Sequence, residues 1–217
     1  MAIVPFERLL SNARSTYVAH TRARAIEFAL AGGVAHTATR VDRASSDFLW
    51  PRLEPFTNDN ETLTNVPPAR KRPQYIWGST TTAGQTLYFA MASGTINPTG
   101  SSDIVVFLTA FADNALNARV DLYDITNGTH TSLSDGVLHD GNVTNPANFE
   151  TQFPYNWQNI RFYSINGTFP SPSHLYKVVV SFEVLNYDQL DLPGYVNPAA
   201  LQFVTDIYVT NPQDVAD

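Results

Sequence analysis

Residues 118–129 read Ala-Arg-Val-Asp-Leu-Tyr-Asp-Ile-Thr-Asn-Gly-Thr. In an extended chain Val120, Leu122 and Asp124 share one face, and Arg119, Asp121, Tyr123 and Ile125 share the other. That is the period-two pattern of a strand, although the mixed character of both faces leaves open which one points inward. Asn127-Gly128 then supplies the residue pair that reverses a strand tightly. The same grammar extends in both directions. Residues 85–92, 103–112, 160–165, 175–185 and 201–209 are further runs rich in Val, Ile, Tyr, Phe and Thr, with weaker candidates at 75–77, 137–139 and 149–153. Between them stand Asn97-Pro98, Asp135-Gly136, Asp140-Gly141, Asn145-Pro146, Asn166-Gly167 and Pro193-Gly194, each with turn chemistry. Eight or nine short strands without an intervening helix predict a mainly β chain, an antiparallel β-sandwich or jelly roll.

Composition supports one core. A chain of 217 residues is too short for two ordinary domains, and 43% apolar with 12% aromatic content fills a sizeable interior. Only two lysines stand beside 22 threonines, 17 asparagines and 14 prolines, which favours strands and turns over helices. No apolar run approaches the roughly 18–20 residues that span a bilayer, and the first residues lack a secretory pattern, so no membrane role is expected. The absence of cysteine excludes disulfides, thiolate metal sites and cysteine nucleophiles.

Charge divides the chain. Residues 1–72 hold 10 of the 13 basic and 7 of the 20 acidic groups, a net of +3, whereas residues 73–217 keep Arg119, Arg161 and Lys177 against 13 carboxylates. The split predicts an N-terminal arm over 1–72 and a β-sandwich domain over 73–217. Within the arm, Phe6, Leu9, Leu10, Ala13 and Tyr17 recur at helical spacing after Pro5, which predicts a short helix over about 5–17. Arg22, Arg24, Ile26, Phe28 and Leu30 alternate with mostly alanine, which predicts an extended stretch ending at Gly32-Gly33. Trp50-Pro51, Glu54-Pro55 and Pro67-Pro68 then predict an irregular path leading to Arg70-Lys71-Arg72. The apolar anchors expected on a partner are Phe6, Leu9, Leu10, Ile26, Phe28, Phe48, Leu49 and Trp50, with Arg22, Arg24, Arg70, Lys71 and Arg72 giving polar register. The alternative is that several of them cover their own domain. A net of +3 over 72 residues is too sparse to grip nucleic acid.

Catalytic and metal chemistry finds little footing. His20, His36, His130, His139 and His174 show no close-paired metal spacing, and residues 134–142, with Asp135 and Asp140, match no calcium loop. No metal or cofactor is expected. No nucleophile elbow occurs, and the hydroxyl-rich stretch Gly78-Ser79-Thr80-Thr81-Thr82-Ala83-Gly84 lacks the lysine of a phosphate loop, so it reads as a loop. Glu150 and Glu183 are the only glutamates after position 61, and sequence cannot place them in one cleft. No enzymatic activity is expected. Sequons begin at Asn60, Asn127, Asn142 and Asn166, about the number that composition supplies by chance. Tyr155, Trp157, Phe162 and Tyr163 could pack in the core or stack on sugars.

The stretch at 118–129 resembles a strand-and-turn element that recurs in jelly-roll modules of viral structural proteins and extracellular carbohydrate-binding proteins. The wider layout is similar to the capsid decoration, or cement, proteins of tailed bacteriophages, in which a compact β-domain sits on the shell and an arm reaches neighbours. That resemblance implies a nonenzymatic structural virion protein, a homotrimer contacting the major capsid protein or other virion subunits. Two alternatives stand beside it: a carbohydrate- or receptor-binding β-sandwich of a phage tail or cell surface, and a jelly-roll coat protein forming the shell. Under the leading expectation, deleting residues 1–44 leaves a soluble sandwich that no longer assembles.

Overall fold

The computed structural model describes residues 3–41, 50–54, 72–98, 102–134, 136–147, 156–188 and 197–210. Residues 118–124 lie in a strand, β7 (Ala115–Asp124), residues 125–128 turn the chain, and the neighbours of β7 settle its inward face. Leu116, Ala118, Val120 and Leu122 point into the main core, while Arg119, Asp121 and Tyr123 lie on the outer face. Asp124 shares the inward parity but ends the strand. Its carboxylate accepts from the backbone N–H groups of Thr126 and Asn127 and sits 2.7 Å from His174 Nδ1, which shapes the turn. Gly128 takes φ +70° there, and its N–H closes on Asp124 O at 2.9 Å.

Five more of the expected runs are strands: β5 (Thr86–Ala92), β6 (Asp103–Asp113), β10 (Arg161–Thr168), β11 (Tyr176–Leu185) and β12 (Ala200–Thr210). The weaker candidates at 75–77 and 137–139 correspond to β4 (Ile76–Trp77) and β9 (Leu138–Asp140). The candidate at 149–153 lies outside the described residues. An additional strand, β8 (Thr129–Ser132), returns along β7 from the Asn-Gly turn.

The N-terminal assignments are exchanged. Where a helix was expected, β1 (Ile3–Leu10) pairs antiparallel with β12, and β2 (Tyr17–Ala19) pairs with β5. Two features imitated a helical period. The register with β12 slips between Pro5 and Glu7, so Phe6 is an extra residue that breaks the alternation, and a bulge is also where a strand tolerates proline. Leu9 and Leu10 then face opposite sides yet are both buried, Leu9 in the main core and Leu10 against Leu53 and Val204 on the outside of the sheet.

Where extended chain was expected, residues 22–31 form the helix α1 (Arg22–Ala31). Thr21 caps it, its side chain accepting from Arg24 N, and Gly32 at φ +72° ends it by donating to Phe28 O at 2.9 Å. The face that packs is Ala25, Ile26 and Ala29, set over Tyr17, Ala90 and Val179. Alanine, read as filler between larger residues, is both the strongest helix former and the side chain that lets a helix lie close to a sheet.

Two antiparallel sheets pack face to face as a β-sandwich. One runs β10-β6-β12, with β1 and β4 sharing the far edge of β12 and a short β3 (Thr39–Arg40) beyond β4. The other runs β2-β5-β11-β7, with β8 and β9 sharing the far edge of β7. Phe182 of β11 and Phe203 of β12 stack across the interior at 4.7 Å, and Trp77 is buried with its indole Nε1 donating to Gln85 Oε1 at 2.9 Å. The expected boundary at 72 therefore separates no structural unit among the described residues: β1 and β3 belong to one sheet, β2 to the other, and α1 covers the second sheet.

Candidate assembly surface

The outward side of the first sheet is set by strict alternation. Along β6, Ile104, Val106, Leu108 and Ala110 point inward, so Val105, Phe107, Thr109 and Phe111 point out. In register beside them are Tyr208, Asp206, Val204 and Gln202 of β12, and Asn166, Ser164 and Phe162 of β10.

One end of this face is covered by the chain itself. Trp50 packs on Phe111 and Ala200, with Tyr75 and Trp157 around them, and its indole donates to Asp113 Oδ2 at 2.9 Å. Leu53 is fully buried, its backbone N–H donating to Gln202 Oε1 while Gln202 Nε2 donates to Pro73 O. Residues 50–54 are thus strapped to their own sheet. In the middle, Arg8 of β1 makes a two-pronged ion pair with Asp206 of β12, at 2.5 and 2.6 Å. Beside that pair Phe107, in register with Asp206, is 45% exposed and meets Tyr208 edge-on at 5.6 Å, and Phe162, in register with Thr109, is 60% exposed. Aromatic side chains on an outward sheet face are the residue type enriched at the centres of protein interfaces.

Most expected partner anchors lie elsewhere. Leu9, Leu10, Ile26 and Trp50 are buried in the domain, and Phe6 is half-buried against the core. Phe28 is half-buried on α1 and stacks on His36 at 4.0 Å. Arg22 reaches from α1 across the second sheet, donating to Ser181 O, Ser181 Oγ and Asn117 O, all at 2.9 Å. Arg24 is exposed and pairs with Glu27, and Arg72 is exposed. Phe48, Leu49, Arg70 and Lys71 lie outside the described residues, as do Asp135, Glu150 and Tyr155. The structure makes these described apolar anchors domain cover because β1 and α1 each need an apolar neighbour to be stable. Phe107 and Phe162 take their place on the surface. The signal for Phe107 was its parity, opposite to Ile104, Val106 and Leu108.

The remaining polar candidates hold the fold. Asp140 pairs with Arg161 at 2.6 Å, and Tyr163 OH donates to His139 O. Among the described residues no three His, Asp or Glu side chains gather as a metal site. Asp121 lies on the outer face of the second sheet. Burial pushes its carboxyl above the ordinary carboxylate range, opposed by a hydrogen bond from Ser132 and the charges of His130, Arg119 and Arg22. A carboxyl whose folded pKa is raised costs stability once ionised, so stability from this site is highest below the ordinary range and falls as pH rises through the raised value. We expect Asp121→Asn to raise the melting temperature at neutral pH, with the gain shrinking as pH falls through the carboxylate range, as read from thermal melts across pH.

No protein-family model matches the chain, and no curated protein is significantly similar to it.

Proposed function

We propose that this chain is a nonenzymatic structural protein of a virus particle, a decoration or cement subunit that assembles as a homotrimer on other virion subunits. The strand order supports this reading: β1-β12-β6-β10 facing β5-β11-β7-β8 is the order of a jelly roll, an architecture used by viral capsid and lectin domains. Fold alone does not assign function, and the observation that carries the proposal is the exposure of two aromatic side chains, Phe107 and Phe162, on the outward side of the first sheet. Assembly then works through the sandwich surface, because residues 3–41 are committed to completing the sandwich itself.

Light scattering and sedimentation on the wild type and a Phe107→Ser/Phe162→Ser variant test this. The wild type is expected to be trimeric. The variant, altered only at exposed positions, is expected to keep the melting temperature of the subunit and lose assembly, with each aromatic worth more than about 1 kcal/mol at the contact. A wild type that stays monomeric at all concentrations and binds no particle, or a variant that assembles normally, would overturn the proposal.

A further inference from the structure

Between α1 and the hydroxyl-rich stretch that follows β4 lies a cleft of about 520 Å³, within the range of small-molecule sites. Its floor is apolar, formed by Val18 of β2 and Leu87 of β5. Gly78 opens the loop because a Cβ there would stand 2.7 Å from Leu87 Cδ1. Among the described residues the wall carries Arg24, His20 and His36 and no carboxylate, in a chain of net charge −7. Glu27 pairs with Arg24 at 2.6 Å, but the Arg24 and Glu27 side chains are 58% and 61% exposed, where such a pair is weak and yields to a competing anion. Thr21, the N-cap of α1, also lines the cleft, so the positive end of the helix dipole adds to the same field.

His36 is held there against its backbone preference. It sits at φ +62°, kept by its stacking on Phe28 and by its C=O accepting from Val18 N at 2.8 Å. Non-glycine residues in this region concentrate at functional sites. Opposite Arg24, Ser79 and Thr80 present hydroxyls, and Gln85, whose Oε1 is already bonded by Trp77, offers its N–H groups.

We propose that this cleft binds a sugar acid, a pyranose ring bearing a carboxylate, either free or as a unit of an acidic polysaccharide. The carboxylate is taken by Arg24 and the imidazoles, the ring hydroxyls by Ser79, Thr80 and Gln85, and the apolar ring face by Val18. The site is independent of the assembly surface.

Titration of the full chain with D-glucuronate, D-glucose and a galacturonate trisaccharide, followed by amide resonances of residues 78–80, tests it. Glucuronate is expected to shift these resonances saturably, and glucose at equal concentration is not. Arg24→Gln should weaken glucuronate binding about tenfold, the usual worth of a hydrogen bond to a charged group. His36→Asn, which tolerates the left-handed backbone, should weaken it as well. Glu27→Gln should tighten it by releasing Arg24. A trisaccharide that binds more tightly than the monosaccharide identifies the polymer as the source, and equal affinity identifies the free acid. Equal response to glucose and glucuronate, insensitivity to Arg24→Gln, or no response to either acid would overturn the proposal.

Discussion

A chain lacking residues 1–44 is expected to lose cooperative folding altogether. The deletion removes β1 from the edge of β12, β2 from the edge of β5, the helix over Ala90 and Val179, and β3. Leu9, Leu10, Tyr17 and Ile26, all buried, go with it. Burying a large apolar side chain contributes about 1.5–3 kcal/mol, so four such losses rival the roughly 5–15 kcal/mol that holds a whole domain together. The deletion also leaves Val179 facing water and an unpaired edge on β12, the kind of strand that aggregates. Far-ultraviolet circular dichroism and thermal melting of the truncated protein check this. A soluble product with a sharp melt would restore the expectation read from charge and composition, in which the segment serves assembly alone.

Arg8→Ala is expected to destabilise the protein by about 3–5 kcal/mol. The Arg8 side chain is 1% exposed and that of Asp206 15%, and the pair joins residues 198 positions apart. Removing one partner strands the other charge in a desolvated place, which costs far more than the pair itself contributes. The double variant Arg8→Met/Asp206→Leu separates these effects, since it leaves neither member of this pair facing an absent partner and should recover part of the loss. Denaturant melts of the two single variants and the double variant provide the measurement. A loss below about 1 kcal/mol in Arg8→Ala, the range of surface pairs, would show that β1 is not held as the geometry describes.

Six strands after residue 84, the reversal at Asn127-Gly128 and the shared face of Val120 and Leu122 were determined by the sequence itself. Each rests on local chemistry, either the period of two that a half-buried strand imposes on its own residues or a residue pair suited to a positive φ. Phe107 was legible on the same basis, once its strand's inward set was fixed. The N-terminal third was decided by tertiary structure. Leu9 and Leu10 read as a helical pair because Leu53, far along the chain, covers the outer face of their strand and buries both sides. The alternation in residues 22–30 misled because the contact is made by Ala25 and Ala29, whose small size matters only once Ala90 and Val179 are beneath them. Segments this short have too few residues to outvote their neighbours. The same holds for the cleft. Arg24, His36 and Ser79 carry no common motif, and they meet because β2 pairs with β5 across some 70 residues of intervening chain, a non-local pairing that no local pattern encodes.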